Sequence, residues 1–185
     1  MLQVYDDFID GFDELKEYAK TCEFKDEVNP IDGVTYPYIC KEIPESIKRE
    51  IIENLNKFKG AEVENPVIFM RMSPKNVPVP HVAHTDISMG QYSLMLYINV
   101  DDTCATSFLR HIPTGIAYQP VLDGFVKIVQ EDMNNVDAWA AYQRVFAKEN
   151  RAAIFDAGCI HRAEPIGGCG EDQSDARIVL TCFFS

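Results

Sequence analysis

Apolar residues in the front third of the chain recur at the three- and four-residue spacing of a helix surface. The segment 8–24 repeats them at Phe8, Phe12, Leu15, Tyr18 and Ala19. The segment 43–58 repeats them at Ile47, Ile51, Ile52, Leu55 and Phe58. Pro44 and Ser46 favour a helix start just before the second pattern. Each pattern predicts a helix with one apolar face, so both helices need a sheet to cover.

From Val67 onward the pattern changes to short runs rich in β-branched and aromatic residues, separated by Pro, Gly and Asn. These runs predict strands at 67–72, 77–86, 93–100, 105–112, 151–157, 159–165 and 176–185. Between them, helical spacing over 125–148 predicts a helical insertion, with Asn134–Asn135 as a point of division. The Gly-rich segment 166–175 is interpreted as a lengthened hairpin between the last two strands.

These elements favour one α+β domain over residues 1–185. Residues 1–64 are expected to form a helical N-terminal support that packs on one sheet. Residues 65–185 are expected to form the β core, an antiparallel sandwich or barrel. No internal repeat and no linker-like composition divides the chain. Barrels of this kind hold small-molecule sites in their mouths.

Composition and charge restrict the kinds of molecule that the protein is expected to bind. The formal net charge of -12 repels phosphate backbones, which excludes nucleic-acid binding driven by bulk electrostatics. No stretch approaches the roughly 20 apolar residues that span a bilayer, and the N-terminus is acidic from Asp6, unlike a leader peptide. We therefore expect a soluble, cytoplasmic protein with no membrane partner. The six cysteines form no Cys-x-x-Cys pair and are interpreted as free thiols rather than a disulfide framework.

The candidate chemistry begins with the sequence His81-Val-Ala-His84-Thr-Asp86. On a strand, His84 and Asp86 would point to the same face, whereas His81 would point to the other. A third ligand from another strand, for which His161 is the candidate, would complete a facial triad of two histidines and one carboxylate, typical of non-haem Fe(II) oxygenases. The His-x-Asp pair alone is a weak signal. Its alternative interpretation is a solvated strand end or turn.

A buried arginine is the second candidate group. Arg177 lies within the apolar run 176–185, where a guanidinium is costly to bury without an anion to pair with. Alternation predicts that Arg177, Val179 and Thr181 share one face, with Thr181 as a hydrogen-bond donor near the site. Arg162, directly after His161, should point away from the site and form an ordinary salt bridge.

Four other residues are interpreted mainly as structural. Cys159 is taken as a small buried apolar residue rather than a metal ligand. His111 is either a substrate contact at the barrel mouth or, more commonly for such a residue, a satisfied surface group. Trp139 and Tyr142 are expected to anchor the helical insertion to the core, which is also where a substrate lid could form.

The order of these features resembles the 2-oxoglutarate- and Fe(II)-dependent dioxygenases, particularly the branch typified by prolyl 4-hydroxylase. The resemblance covers about residues 66–185 and implies a double-stranded β-helix, a jelly-roll core similar to that of cupins. It implies that His84, Asp86 and His161 bind Fe(II). It also implies that Arg177 and Tyr97, in Tyr97-Ile98-Asn99, bind the far carboxylate of 2-oxoglutarate.

Two positions depart from the family pattern. The interval of sixteen residues between His161 and Arg177 is longer than usual, and 103–106 replaces a pair of glycines that family members commonly carry before the residue at Phe108. The expected reaction uses O2 and 2-oxoglutarate to hydroxylate an unactivated C–H bond of a peptidyl residue or small molecule. The sequence specifies neither the prime substrate nor the oligomeric state.

Two other classes remain open. A cupin-type sandwich without oxygenase activity would bind a metal but not 2-oxoglutarate. A catalytically silent scaffold would use its acidic surface to recruit basic partners. A DNA-repair demethylase is disfavoured by the acidic charge and by the lack of an Arg-rich C-terminal motif.

Overall fold

Two antiparallel sheets and three helices make up most of the described chain. A computed structural model describes residues 1–29, 33–78 and 81–185. The helices are α1 (Phe12–Ala19), α2 (Glu45–Lys59) and α3 (Asp123–Glu131). The strands are β1 (Leu2–Tyr5), β2 (Lys25–Val28), β3 (Thr35–Cys40), β4 (Val67–Ser73), β5 (Tyr92–Asn99), β6 (Ala105–His111), β7 (Trp139–Phe146), β8 (Ala152–Asp156), β9 (His161–Glu164) and β10 (Arg177–Phe184). The class is therefore α+β, as the sequence predicts.

The larger sheet has seven strands in the order β1-β8-β5-β10-β4-β3-β2. The smaller sheet has three strands in the order β7-β6-β9. Every paired neighbour in both sheets is antiparallel. Strand β10, at the centre of the larger sheet, is buried along its whole length.

Helices α1 and α2 cover the outer face of the larger sheet, as predicted. Leu15 of α1 and Ile51 of α2 belong to one apolar cluster with Leu94 of β5 and Leu180 of β10. Helix α2 ends at Gly60, whose φ of 71° lies in the left-handed region that glycine adopts without strain. The apolar stripes of the two helices therefore account for their position.

The inner face of the larger sheet faces the smaller one. Tyr97, Phe108, Phe155 and Val179 form the central apolar cluster between the sheets. Along β10, Ile178, Leu180, Cys182 and Phe184 pack with the helices on the outer face. Alternation then directs Arg177, Val179 and Thr181 inward, which confirms their predicted common face.

The predicted helix over 125–148 is wrong in its second half. Helix α3 ends at Glu131, before Asn134–Asn135, and Trp139–Phe146 is strand β7. Strand β7 pairs with β6 from Ala105↔Phe146 to His111↔Trp139. The apolar residues there recur at a three-residue spacing that resembles a helix. The segment forms a strand instead, because it can hydrogen-bond to β6 and contains aromatic residues that favour strands.

The N-terminal 64 residues are not only helical, which corrects a second prediction. Strand β1 pairs with β8, whereas β2 and β3 extend the opposite side of the larger sheet beyond β4. Strand β2, Lys-Asp-Glu-Val, carries no apolar alternation, and β3 contains Pro37 and a positive φ at Tyr38. Neither strand has the sequence pattern by which strands are usually predicted.

Segments 166–175 and 77–86 also differ from expectation. The Gly-rich segment is a crossover from β9 in the smaller sheet to β10 in the larger one, not a hairpin. It is held at Ser73, whose carbonyl accepts a hydrogen bond from the Cys169 amide at 3.1 Å. Gly168 is required there, because an added Cβ would lie 2.4 Å from the same carbonyl oxygen. In 77–86, residues 79 and 80 lie outside the described residues, and the rest contains one isolated bridge at His84 rather than a strand.

Within the described ranges, no helix combines the length and apolar character needed to cross a membrane.

Candidate metal centre

The predicted ligands His84, Asp86 and His161 come together between the sheets. Their donor atoms all lie within 4.8 Å of one another. His84 Nε2 is 3.8 Å from Asp86 Oδ1, and His161 Nε2 is 3.4 Å from Asp86 Oδ2. The two imidazole ring centroids are 4.4 Å apart. Two histidines and a carboxylate from distant parts of the chain thus face one point.

Backbone hydrogen bonds hold the three residues in this arrangement. His84 and His161 exchange two backbone hydrogen bonds, of 3.1 and 2.9 Å, which form the isolated bridge. The Asp86 amide donates to the carbonyl of Ala157 at 2.8 Å, and the Asp86 carboxylate accepts from the Ser93 hydroxyl at 2.8 Å. A pair of backbone bonds, rather than a continuous strand, therefore brings the His-x-Asp segment to β9.

The tautomer of His161 is set by its neighbour. Its Nδ1 lies 3.0 Å from the carbonyl oxygen of Cys159, which only accepts hydrogen bonds, so Nδ1 carries the proton. Nε2 then presents a lone pair. This atom is buried and has no hydrogen-bond partner among the described residues. Such an orientation by a backbone carbonyl is the usual support of a metal-binding histidine.

The environment of His84 also favours the neutral ligand form. Burial lowers the pKa of His84 well below its usual value of 6.5, and the electrostatic effects of the neighbouring His161 and Arg71 lower this pKa further. A neutral imidazole keeps the lone pair that a metal requires. His84 is therefore prepared to act as a ligand near neutral pH.

These groups fit a divalent cation. The lone pair of His161 Nε2 faces the Asp86 carboxylate, and two hydrogen-bond acceptors in contact inside a protein are costly unless a positive charge lies between them. Two imidazole nitrogens and one carboxylate oxygen are the ligand set of the facial triad that binds Fe(II). A second group, Asp101, Cys104 and Cys169, is a weaker candidate, because burial raises the pKa of the Cys104 thiol to about 12 and keeps it protonated.

Arg177, Tyr97 and Thr181 lie on the inner face of the larger sheet, where Tyr97 belongs to the same apolar cluster as Phe108 and Phe155. Arg177 is 4 % exposed, its Nε has no hydrogen-bond partner among the described residues, and its Cζ is 5.9 Å from the centre of the Tyr97 ring. The Tyr97 hydroxyl donates to Thr106 Oγ1 at 2.8 Å, and burial raises the pKa of Tyr97. The Thr181 hydroxyl lies 3.4 Å from the sulfur of Met95. The Tyr97 ring, rather than its hydroxyl, thus lies next to Arg177.

Sequence reasoning missed a second interior arginine. Arg71 lies on β4 directly opposite Val179 of β10, between Met70 and Met72, which face the helices. Its Nε is buried without a hydrogen-bond partner among the described residues, and its Cζ is 5.7 Å from the centre of the Tyr36 ring. The signal was an arginine inside the apolar run 67–72, the same signal that identified Arg177.

The remaining candidates have partners other than the proposed metal ligands. Arg162 pairs with Glu164 at 2.7 Å, as predicted. His111 is fully buried and binds Asp132 at 3.0 Å, so it is neither a surface group nor a substrate contact. Trp139 donates from Nε1 to the carbonyl of Asp132 at 2.8 Å, whereas Tyr142 is 47 % exposed and stacks against the guanidinium of Arg110 at 5.7 Å.

Cys159 is partly buried and supplies its backbone carbonyl, not its sulfur, to the site. Burial raises the pKa of its thiol, which agrees with the interpretation of an uncharged apolar residue. Its contribution is to orient His161.

The structure matches solved structures over nearly its whole length. A prolyl-4-hydroxylase of Pseudomonas putida is 15 % identical, with a TM-score of 0.54 over 99 % of this chain and 91 % of the other. EctD from S. alaskensis with bound Fe is 12 % identical, with a TM-score of 0.55 over 98 % of this chain and 71 % of the other. EvdO2 from Micromonospora carbonacea, complexed with 2-oxoglutarate, is 11 % identical, with a TM-score of 0.54 over 99 % and 85 %.

The chain shares its fold with these proteins. The resemblance to the 2-oxoglutarate- and Fe(II)-dependent dioxygenases, drawn from the order of motifs, is thereby confirmed at the level of the fold. No protein-family model and no curated protein matches the chain in sequence.

Proposed function

We propose that this chain is an Fe(II)- and 2-oxoglutarate-dependent dioxygenase that hydroxylates an unactivated C–H bond of a peptidyl residue or a small molecule. The observation that carries the proposal is the convergence of His84, Asp86 and His161 on an apolar cluster that also holds Tyr97, the ring beneath a buried Arg177 whose Nε has no partner among the described residues. A metal ligand set and a binding group for an organic acid thus share one interior.

We further propose that the core is a double-stranded β-helix. Strands β8, β5, β10 and β4 are consecutive neighbours in the larger sheet and lie opposite the smaller sheet β7-β6-β9. The bridge at His84 adds a fourth backbone segment beside β9. Two layers of four segments with antiparallel pairing are the arrangement of jelly-roll cores.

In this proposal His84, Asp86 and His161 hold Fe(II) and leave three coordination positions open. Iron with 2-oxoglutarate and O2 supplies the oxidising power that the protein's own side chains lack. Arg177 binds the far carboxylate of 2-oxoglutarate, which gives the buried guanidinium the anion that it lacks. The Tyr97 ring supports the guanidinium from one side, and Thr181 offers a hydroxyl on the same face.

Aromatic side chains form the wall of the proposed centre on the side of His161. The ring centroids of Phe155 and Phe108 lie 4.8 and 6.3 Å from that of His161. Phe155 and Phe108 also pack edge-on against each other at 5.1 Å. A dry, rigid wall strengthens the electrostatic interactions inside the site and shields reactive species from solvent.

Anaerobic titration of the protein with Fe(II) and then 2-oxoglutarate tests the proposal. We expect a weak visible charge-transfer band in the wild-type protein and none in His161→Ala, which loses a ligand. Release of succinate after O2 is admitted would complete the test. Binding of Fe(II) without the band or succinate would reject the dioxygenase and support the cupin-type alternative.

A further inference from the structure

Arg71 and Arg177 are neighbours on the inner face of the larger sheet. Arg177 pairs with Ser73, and Val179 pairs with Arg71, so the two arginines occupy diagonal positions of the antiparallel pair β4–β10. Residues at such positions are about 7–8 Å apart and within reach of long side chains. Arg177 repels Arg71 and lowers the pKa of the Arg71 guanidinium, after the larger effect of burial. The two positive charges therefore lie in one low-dielectric space.

Arg71 also lies on the sheet face that lines the proposed metal centre, because it is opposite Val179, which packs with Phe155, and the ring centroid of Phe155 is 4.8 Å from that of His161. The Asp86 carboxylate stabilises the charged form of Arg71, and Arg71 in turn disfavours the charged form of His84. Arg71 makes no hydrogen bond or ion pair with any residue in the described ranges; its recorded neighbour is the Tyr36 ring, at 5.7 Å. The guanidinium, on the inner face of the larger sheet, therefore has unused donors.

The charged groups around the proposed metal centre have an excess of positive charge. Asp86 and a 2-oxoglutarate dianion carry three negative charges, whereas a divalent cation, Arg71 and Arg177 carry four positive charges, with the histidines neutral. One positive charge remains in a partly buried site, and this excess favours the entry of another anion. Arg177 is assigned to 2-oxoglutarate, so the remaining charge is that of Arg71.

We propose that Arg71 binds a carboxylate of the prime substrate, so that the substrate is a small carboxylic acid with one negative charge rather than an internal residue of a peptide. A guanidinium matches the planar carboxylate through two parallel hydrogen bonds, and one residual charge matches a monoanion. This inference rests on the proposed function and assigns the substrate class of the same site.

The exposure of the two arginines indicates which ligand binds at each of them. Arg177 is 4 % exposed, whereas Arg71 is partly exposed as a residue although its Nε is buried. A ligand that binds second meets the more accessible arginine. The co-substrate therefore occupies the enclosed position at Arg177, and the substrate carboxylate occupies the more open position at Arg71.

The test compares a carboxylate with its uncharged isostere on the anaerobic Fe(II)–2-oxoglutarate complex. Propionate and propionamide are titrated by calorimetry while the charge-transfer band is recorded. We expect saturable binding of propionate, with a change in the band, and at least tenfold weaker binding of propionamide. Arg71→Gln should lose the preference for propionate, and Arg71→Lys should keep part of it because the charge remains.

Arg110→Gln is the matched control, because Arg110 is exposed and also stacks on an aromatic ring, Tyr142, at 5.7 Å. It should leave propionate binding unchanged. Equal binding of the two probes by wild-type protein, or an unchanged preference in Arg71→Gln and Arg71→Lys, would overturn the inference.

The affinity for 2-oxoglutarate shows whether Arg71 binds a carboxylate of the co-substrate or a carboxylate of the prime substrate. In Arg71→Gln and Arg71→Lys this affinity should stay within about threefold of wild type. If both variants lose 2-oxoglutarate as strongly as an Arg177 variant does, Arg71 binds the co-substrate and the inference fails while the proposed function stands. If wild-type protein forms no complex with 2-oxoglutarate, the proposed function fails as well.

Discussion

The substitution Arg177→Met should separate stability from function. Arg177 is 4 % exposed, its Nε has no hydrogen-bond partner among the described residues, and no ion pair involves it there. Methionine fills much of the same volume without a charge or an unused donor. We therefore expect the ligand-free variant to be at least as stable as wild type, although a core residue is changed.

The expected change in the free energy of unfolding of Arg177→Met follows from two opposing contributions. Removal of a buried, unsatisfied donor stabilises the fold by about 1–3 kcal/mol. Loss of the contact between the guanidinium and the Tyr97 ring, at 5.9 Å, costs about 0.5–2 kcal/mol. The net gain is about 1 kcal/mol, which raises the Tm of a chain of this size by roughly 2–4 °C.

The same substitution should abolish tight binding of 2-oxoglutarate. Breaking a buried ion pair costs about 3–5 kcal/mol, or a factor on the order of 10²–10³ in Kd. Calorimetric unfolding of the ligand-free protein and anaerobic titration with 2-oxoglutarate measure the two effects independently. A loss of stability above about 2 kcal/mol would mean that Arg177 has a structural ion-pair partner, and an unchanged affinity for 2-oxoglutarate would remove its assigned role.

Two further predictions concern groups outside the metal centre. The thiols of Cys104 and Cys169 are buried with their sulfur atoms 3.3 Å apart, so the two-electron oxidant diamide should link them, with the loss of two hydrogens by mass spectrometry. Cys104→Ser should prevent this product, and its persistence in the variant would refute the pairing. The hydrogen bond from His111 lowers the pKa of Asp132 below its usual 3.8. A depressed carboxyl pKa stabilises the fold above the unfolded value and loses this effect as pH falls through the folded value. In urea unfolding, Asp132→Asn should therefore differ from wild type at pH 7 and converge with it below about pH 4; a constant difference would contradict this.

A clear periodic pattern of apolar residues was sufficient to predict the helices and strands that bury an apolar face. Helices α1 and α2 and strands β4, β5, β6, β8 and β10 occur where their apolar patterns predict them. Strands β2 and β3 could not be predicted, because their residues are largely polar or interrupted by Pro37. Their pairing depends on the edge that β4 offers, which is a property of the assembled sheet.

The site residues that the sequence predicted best are those whose side chains are energetically unfavourable to bury without a partner. His84, Asp86 and His161 converge as expected, although a bridge rather than a strand positions the first two. The same reasoning about a buried guanidinium applied equally to Arg71 and was not extended to it. Only the register of β4 against β10 reveals that both arginines face one interior. The cytoplasmic location stays a prediction.

X-ray absorption spectroscopy of the Fe(II)-loaded protein tests directly whether His84, Asp86 and His161, from two distant segments of the chain, bind one iron. The account predicts a spectrum with two imidazoles and oxygen ligands in the wild-type protein, and with one imidazole in His161→Ala. A wild-type spectrum without imidazole scattering, or an unchanged spectrum in the variant, would contradict it.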